Sequence, residues 1–457
     1  MTVATADNAE REVVTVRQRA ISVVARVAVL AILLGVAATV RCADLLRRAC
    51  GLGRQSCRAR PDRLLLTGTF YNEGWLRAHV MPLAQCRQLT RVVVVCDAPL
   101  FKIDHVVYAC PPQWLVRTVG RTLARLVWIV KMTRIHQPGV LMGYHIMPNA
   151  LICLVVARLL GRRAIYQMTG GPIQIIGGGV GSENILLRQL RKPSRRREAL
   201  LFHLVRQFDC LVVRGQAAVQ FTQQHRLATQ CLIVPGSVDC DRFSPPAGAE
   251  RDYDLVCVGR LVPVKRHDRL LHIVGALRHD RPYVRVAVVG DGPLLDTARR
   301  QAEQLGVTQH VDFLGQRDDV PAILRRSRLF IITSETEGLS IAVIEAMACG
   351  LPVIAPNVGD LSELIVDGQN GVFVDPHDPG SSARAIEALL VDLARVKRMS
   401  GSARASAVER CSAAAVAGTW DRFLGAGATN TRVVADPVSS SPRSATQHDA
   451  VAVGTKP

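Results

Sequence analysis

The most informative run of the chain is SETEGLSIAVIEAMACGLPVIAPNVGDLSELIVDGQNGVFVDP, residues 334–376. It follows RLFIITS, a β-branched segment that reads as a strand. A loop then carries Glu335, Glu337 and Gly338, a helix is predicted from about Leu339 to Ala348, and Gly350 stops it before the next strand, LPVIAP. Strand, loop, helix and strand in that order make one unit of a parallel sheet, with the helix N-terminus at the sheet's C-terminal edge. Open α/β sheets bind ligands on that edge, and the backbone N–H groups and dipole of a helix N-terminus suit phosphate. Gly338, without a side chain, lets a diphosphate come close. Glu337 stands just before the helix and Glu345 two turns inside it; eight steps of about 100° leave them about 80° apart in projection, so both can face one cleft. A carboxylate repels bound phosphate, which makes these two acids acceptors for sugar hydroxyls instead.

Outward from this run the same alternation recurs. RLLLTGTF, RVVVVCD, GVLMGY and RRAIYQMTG read as strands, with LARLVWIVKMTRI and ALICLVVARLLG as helices between them. A second series, DYDLVCVGR, RVAVVGDGP, HVDFLG, RLFIITS, LPVIAP and GVFVD, begins after SPPAGAER. Strands alternating with helices imply βαβ units, so the expected fold class is α/β, with two doubly wound Rossmann-like domains and a cleft between them. The expected divisions are a basic N-terminal segment over 1–60, a first domain over 61–245, a second over 252–410, a last helix over 411–425 and a disordered Ser/Thr/Ala/Pro-rich tail over 432–457. The Pro/Gly-rich stretch from Ser244 to Arg251 reads as the hinge.

Composition narrows the class. A chain of 457 residues, 49% hydrophobic, has enough length for two or three cored domains and no bias toward a fibrous or disordered protein. Its 13 cysteines are scattered singly without a Cys-x-x-Cys pair, which argues against a disulfide framework or a zinc ribbon and for a reducing compartment. The formal net charge of +19 falls wholly within residues 1–250; beyond them bases and acids balance. An anionic surface would therefore be met by the N-terminal half. The bases come without interleaved aromatics or a recognition motif for nucleic acid, so an anionic membrane surface is the expected partner and nucleic acid is not. Residues 21–40, ISVVARVAVLAILLGVAATV, are apolar except for Arg26 and are followed by Arg41, Arg47, Arg48, Arg54, Arg58 and Arg60. A membrane anchor or in-plane helix, an ordinary buried helix and a cleaved signal all fit this stretch; a spanning helix would leave the body on the cytoplasmic side.

Glu337, seven residues, Glu345, then Ala346, Met347, Ala348, Gly350, Pro352 and Val353 resemble the signature of glycosyltransferase family 4, whose fold is GT-B. The resemblance runs back through GRLVPVKR, VVGDGP and VDFLGQ and forward through NVGDLSELIVDGQNGVFVDP, covering residues 252 to 380. It implies a retaining hexosyltransferase that uses a nucleotide sugar. By that resemblance Arg260 and Lys265 bind the donor diphosphate, Glu345 holds the ribose hydroxyls, Glu337 contacts the transferred sugar, and Gly338, Leu339 and Ser340 belong to the donor site. Arg and Lys supply the charge that a departing diphosphate needs, so no metal and no other cofactor is expected. In the first domain GYHIMPNALICLVVARLLGRRAIYQMTGG is similar to the family's region with a His beside the reacting sugar, which makes His145 the second catalytic candidate with Glu337. Gly74, after the first strand, stands where the family places a glycine loop against the phosphates; here Glu73 precedes a single Gly. VPGSVDCDRFSP departs from the family's Pro-Asn-Gly-Val-Asp at Gly236 and Ser237.

Other segments read as structural. Asp239-Cys-Asp241 and Asp252-Tyr-Asp254 spell a metal-binding Asp-x-Asp but flank the linker. GGGVGSEN, from Gly177 to Asn184, is taken as a flexible acceptor-side loop, GDGP as a tight turn, and LLRQLRKPSRRRE as either a solvated basic face or a site for anionic headgroups. The expected acceptor is a lipid-linked saccharide or an envelope or exopolysaccharide glycan at the cytoplasmic face of the membrane. Two rivals stay open: an epimerase-like enzyme acting on nucleotide sugars without an acceptor, and a nonenzymatic scaffold for membrane or nucleic acid.

Overall fold

A computed structural model describes residues 3–51, 58–70, 73–99, 101–180, 187, 190, 192–227, 230–245, 248 and 251–426, with side chains from Val24 onward. The expected tail, 432–457, and the second half of GGGVGSEN lie outside the described residues. The first sheet is built from β1 (Arg60–Thr67), β2 (Arg91–Val95), β3 (Val106–Ala109), β4 (Pro138–Tyr144), β5 (Arg163–Gln167), β6 (Cys210–Val213) and β7 (Cys231–Ile233). The second is built from β8 (Tyr253–Val258), β9 (Val286–Val289), β10 (Val311–Gly315), β11 (Ser327–Ile331), β12 (Val353–Ala355) and β13 (Gly371–Phe373). All the pairings are parallel, in the orders β3-β2-β1-β4-β5-β6-β7 and β10-β9-β8-β11-β12-β13.

The β-branched runs form these strands because both faces of a parallel sheet are covered by helices. Successive residues of β1 show it. Leu65 belongs to one core with Val93 and Leu141, whereas Leu64 and Leu66 belong to the opposite core with Val92, Val94 and Val140, the alternation that a period of two requires. The second sheet divides the same way, with Val256 and Phe330 on one face and Leu255, Leu329 and Ile331 on the other. The six strands read in the second half are all present. In the first half β3, β6 and β7 were not singled out; they are three or four residues long, as β9, β12 and β13 are, but they lie outside the run of family motifs that marks the second half.

The N-terminal apolar stretch lies within one long helix, Val3–Ala49. Ala25, Val29, Leu33, Val40 and Ala43 are buried, and the first four of them join the core that holds the Leu151–Leu160 helix. The rest of its surface keeps Val24, Val27, Leu30, Ile32, Leu34, Leu45 and Leu46 exposed. Among the described residues Val24–Ala49 is long and apolar enough to cross a membrane, yet one stripe of it is part of the first domain's core.

The chain passes between the domains twice, side by side. The segment after β7 leads to the second sheet, and the Leu393–Cys411 helix leads back; Val238 N–H donates to Cys411 O at 2.8 Å where they meet. Ser412 caps the final helix, Ala413–Gly425, by accepting from Ala415 N–H. That helix returns to the first domain, where Val416, Trp420 and Phe423 share a core with Leu76, Val80 and Leu83 of the Glu73–Ala84 helix. Asp421 fixes its end by accepting from Gln88 N–H at 3.0 Å. Trp420 is 2% exposed, so Trp420→Ala opens a cavity in the first domain and should cost about 3–5 kcal/mol. Urea unfolding followed by circular dichroism checks it: the first transition should move to lower urea, and an unchanged transition would mean that the helix does not brace this domain.

Candidate active site

Each strand order reverses once, between β1 and β4 in the first sheet and between β8 and β11 in the second. At such a switch the loops leaving the strands diverge and open a crevice at the C-terminal edge. Arg260 and Lys265 follow β8, Glu337 to Ser340 follow β11, Gly74 follows β1 and His145 follows β4. The residues singled out in the sequence therefore stand at the two switch points.

The second-domain half is held together by ion pairs. Lys265 Nζ donates to Glu337 Oε1 at 2.5 Å, and Ser334 Oγ donates to the same oxygen at 2.6 Å. One loop position away, Glu335 pairs with Arg266 at 3.0 Å while its N–H donates to Val264 O at 2.9 Å. Thr333 Oγ1 completes the join by donating to Arg266 O at 2.8 Å. The Pro263–Lys265 turn and the loop after β11 are thus one unit. Gly359 presses on it from behind with φ +60, and a Cβ there would lie 1.7 Å from the Glu337 carbonyl oxygen. Gly290 does the same beneath Arg260, where a Cβ would fall 1.9 Å from Gly259 O. In GDGP, read as a tight turn, Gly292 N–H donates to Asp291 Oδ1 at 2.6 Å, and the hydrogen-bonded turn itself lies further on, from Gly292 to Leu295, whose N–H donates to Gly292 O at 3.1 Å.

The helix after this loop is Ile341–Ala348, with Ser340 at its N-cap making no side-chain cap bond. Its first N–H groups point out of the strand edge, the arrangement that suits an anion. Glu345, within the helix, has a carboxyl that burial pushes up to about 7, against a smaller opposing pull from Arg242. Arg260 is exposed at the start of the loop that follows β8.

The first-domain half is aromatic. His145 has φ 61, a left-handed backbone that a non-glycine residue rarely adopts, immediately after β4. Its ring stacks on Trp75 at 5.8 Å with an interplanar angle of 18°. Gly74, expected in a loop, instead lies in the first turn of the Glu73–Ala84 helix, because Glu73 pairs with Arg77 one turn on at 2.7 Å and starts the helix early. Trp75 also meets Tyr144 at 5.3 Å and His79 at 4.1 Å.

Three contacts across the cleft were not anticipated. Arg214, after β6, donates to Leu339 O at 3.3 Å. Asp360 and Glu363 of the second domain cap the first-domain helix Gln216–Gln224, Asp360 Oδ1 accepting from Ala217 N–H at 3.0 Å and Glu363 Oε1 from Gln216 N–H. Burial raises both carboxyls, Glu363 to about 7. Gly215 permits the approach, since a Cβ there would lie 2.4 Å from Asp360 Cγ. The available signal was a charged residue at the end of an apolar run, CLVVR, a pattern that places it on the ligand edge once β6 is recognised.

The Asp-x-Asp pairs have structural partners. Asp239 Oδ1 accepts from Asp241 and Arg242 N–H, Asp252 pairs with Arg326, and Asp254 accepts from Arg285 N–H. Among the described residues no group of three or more His, Cys, Asp or Glu could hold a metal ion. In the basic run, Arg195 and Arg196 are exposed, but Arg197 is 6% exposed and donates to Lys192 O at 2.6 Å, so that one base is part of the fold.

Residues 241–406 match the family model described as Glycosyl transferases group 1. A GDP-mannose-dependent alpha-(1-6)-phosphatidylinositol monomannoside mannosyltransferase of Mycolicibacterium smegmatis is 36% identical over 190 residues, 37% of this chain and 50% of that protein. A D-inositol 3-phosphate glycosyltransferase of Salinispora tropica is 35% identical over 193 residues, 36% of this chain and 40% of that protein. The chain spans about half the length of the curated relatives it matches. Among solved structures, Anabaena Alr3699/HepE in complex with UDP-glucose aligns with a TM-score of 0.61 at 20% identity, over 80% of this chain and 99% of that one. The S. aureus TarM G117R mutant, in complex with fondaparinux, alpha-GlcNAc-glycerol and UDP, aligns with a TM-score of 0.54 at 16% identity, over 66% of this chain and 59% of that one. At those identities the likeness is one of fold. The domain of residues 241–406 thus belongs to the group 1 glycosyl transferases, the family whose signature the sequence carries, and the two sheets together have the GT-B fold.

Proposed function

We propose that this protein moves a hexose, with retention, from a nucleoside-diphosphate sugar to an acceptor held at a membrane surface. The observation that carries the reading is the Lys265–Glu337 pair at the β8/β11 switch, beside the open N-terminus of the Ile341–Ala348 helix. The cation, the carboxylate and a helix N-terminus without a side-chain cap bond belong to one loop-and-helix unit, and a diphosphate sugar needs all three. Lys265 and Arg260 neutralise the diphosphate with the helix N–H groups, a role that needs no metal. Gly338, Leu339 and Ser340 lie along it, Glu345 accepts from the ribose hydroxyls, and Glu337 turns from Lys265 toward the hydroxyls of the transferred sugar. His145 and Gly74 form the facing wall. In the transfer the bond from C1 to the diphosphate oxygen breaks, and the acceptor oxygen bonds C1 from the same face. The acceptor's proton passes to the departing phosphate oxygen, whose growing charge Arg260 and Lys265 stabilise.

The curated relatives include enzymes named for GDP-mannose, phosphatidylinositol mannoside and inositol phosphate, so GDP-mannose and a phosphoinositide-like or lipid-linked acceptor are the first substrates to test. A membrane acceptor is supported by the surface of the first domain. The Gln113–His136 segment, two helices joined at a break at Gly120 (φ 78, ψ 161), joins the same core as the N-terminal helix and exposes Trp114 and Val119 before the break and Leu123, Val127 and Ile135 after it, among Arg117, Arg121, Lys131 and Arg134. Exposed apolar residues set among bases suit an interfacial surface lying on anionic headgroups, at the cytoplasmic face if the long N-terminal helix follows its flanking arginines.

Calorimetric titration with GDP, UDP and ADP should give saturable binding of one nucleotide. Lys265→Ala or Glu345→Ala should weaken it at least about tenfold, or about 1.4 kcal/mol. No binding by the folded wild type would refute the donor reading. The ribose hydroxyls favour the ionised form of Glu345, whose carboxyl burial holds near 7. Affinity should therefore rise from pH 6 to pH 8 with release of a proton, and Glu345→Gln should flatten that rise. For the acceptor side, the protein should sediment with vesicles containing anionic phospholipid and poorly with zwitterionic ones, and Trp114→Glu with Leu123→Glu should reduce sedimentation several-fold. Equal partition of wild type and variant would remove this surface from the account.

A further inference from the structure

We propose that Arg214 is a positioning residue for the transfer, tying the donor loop of the second domain to the His145 wall of the first. The inference rests on the donor reading above. Arg214 is 6% exposed and, among the described residues, has no carboxylate partner. Its two terminal nitrogens do different work. One donates to Leu339 O at 3.3 Å, in the loop that leads from Glu337 into the Ile341–Ala348 helix. The other lies 2.9 Å from His79 Nε2. Burial and the adjacent guanidinium hold His79 neutral, so its Nε2 offers a lone pair and accepts from Arg214.

From His79 the contacts continue to the reaction wall. The His79 ring meets Trp75 at 4.1 Å, and Trp75 stacks on His145 at 5.8 Å. One chain of packed groups therefore runs from Leu339 through Arg214, His79 and Trp75 to His145. It joins the two predicted halves of the site, which the sequence separates by almost two hundred residues.

Filling the core does not require a cation here. Burying a guanidinium without a counter-charge is costly, and an apolar side chain would pack the end of β6 without that cost. The surroundings are nevertheless shaped for it. At Gly236 a Cβ would lie 2.6 Å from the Arg214 guanidinium and 3.1 Å from Ile341, so a side chain here would displace the end of the arginine from its present place. The departure at Gly236 from the family's usual Pro-Asn-Gly thus has a physical cause. At Gly338 a Cβ would be 4.0 Å from Arg214 Cβ, an ordinary contact, which shows how closely the donor loop lies over the arginine stem.

The test compares wild type, Arg214→Met, Arg214→Lys and Gly236→Ala. Nucleoside diphosphate affinity is read by calorimetry, and kcat and KM are read as nucleoside diphosphate released from the donor that titration selects. Arg214→Met should bind the nucleoside diphosphate within about two-fold of wild type, because Lys265 and Glu345 are untouched, while kcat falls at least about ten-fold. Arg214→Lys should recover part of that loss, one ammonium serving one of the two partners. Gly236→Ala keeps the charge but crowds the guanidinium, and should reproduce the fall in kcat; the double variant with Arg214→Met should be no slower than the worse single variant. It also decides the matter if Arg214→Met does not fold. A folded Arg214→Met or Gly236→Ala with wild-type kcat would overturn the role, as would strictly additive losses in the double variant. Failure of wild type to bind any nucleoside diphosphate would overturn the donor reading itself, a result distinct from both.

Discussion

Because every strand in both sheets is parallel to its neighbours, each connection must return over a face, and every loop that leaves a strand's C-terminal end emerges on one edge. The remaining features follow from that constraint. Each sheet buries both faces, so its strands are runs of Val, Leu and Ile rather than alternating ones, and its polar chemistry is confined to the edge. Where the strand order reverses, edge loops part and leave room for a ligand. In this chain the reversal at β8/β11 receives Lys265 and Glu337, and the reversal at β1/β4 receives His145 and the start of the Glu73–Ala84 helix.

Electrostatics distinguish the two edges. On the second domain, charge is paired: Lys265 with Glu337, and Arg266 with Asp268 and Glu335. These pairs fix the loop, and on the proposed donor reading a diphosphate would take the place of Glu337 at Lys265. On the first domain, the edge is aromatic; Arg125 is buried there against Asp97 and Asn149, and Arg214 is buried there without a carboxylate partner among the described residues. The domains are further joined by Asp360 and Glu363, whose carboxyl oxygens accept from the first N–H groups of the Gln216–Gln224 helix. The domains are thus joined from one short segment, residues 214–217, by a guanidinium-to-carbonyl contact and by carboxylate-to-helix contacts, and again where the two covalent crossings meet near Val238 and Ser412.

The sequence was most legible where a motif and a periodicity coincide. In the second domain the apolar runs lie among family motifs, and spacing and resemblance single out Lys265, Glu337 and Glu345 there. The first domain was less legible. β3, β6 and β7 lie outside the run of family motifs, and without β6 there was no reason to see Arg214 as an edge residue. The contact between Arg214 and Leu339 joins positions 125 apart, and no local pattern encodes such a meeting. Gly74 was expected in a loop by resemblance to the family's glycine loop; the Glu73–Arg77 pair, also visible in the sequence, favours the helix in which it lies. The N-terminal stretch was ambiguous for a physical reason. Its apolar residues serve both a buried stripe through Val29 and Leu33 and an exposed face through Val27 and Leu34, and composition does not separate the two.

The central claim is that the second-domain switch point receives the diphosphate of a sugar donor. A crystal structure of the protein grown with the nucleoside diphosphate that it binds tests this most directly. The account predicts phosphate oxygens against Lys265, Arg260 and the first N–H groups of the Ile341–Ala348 helix, with the ribose on Glu345 and the Lys265–Glu337 contact lengthened. A nucleotide bound elsewhere, with that contact still at 2.5 Å, would contradict it.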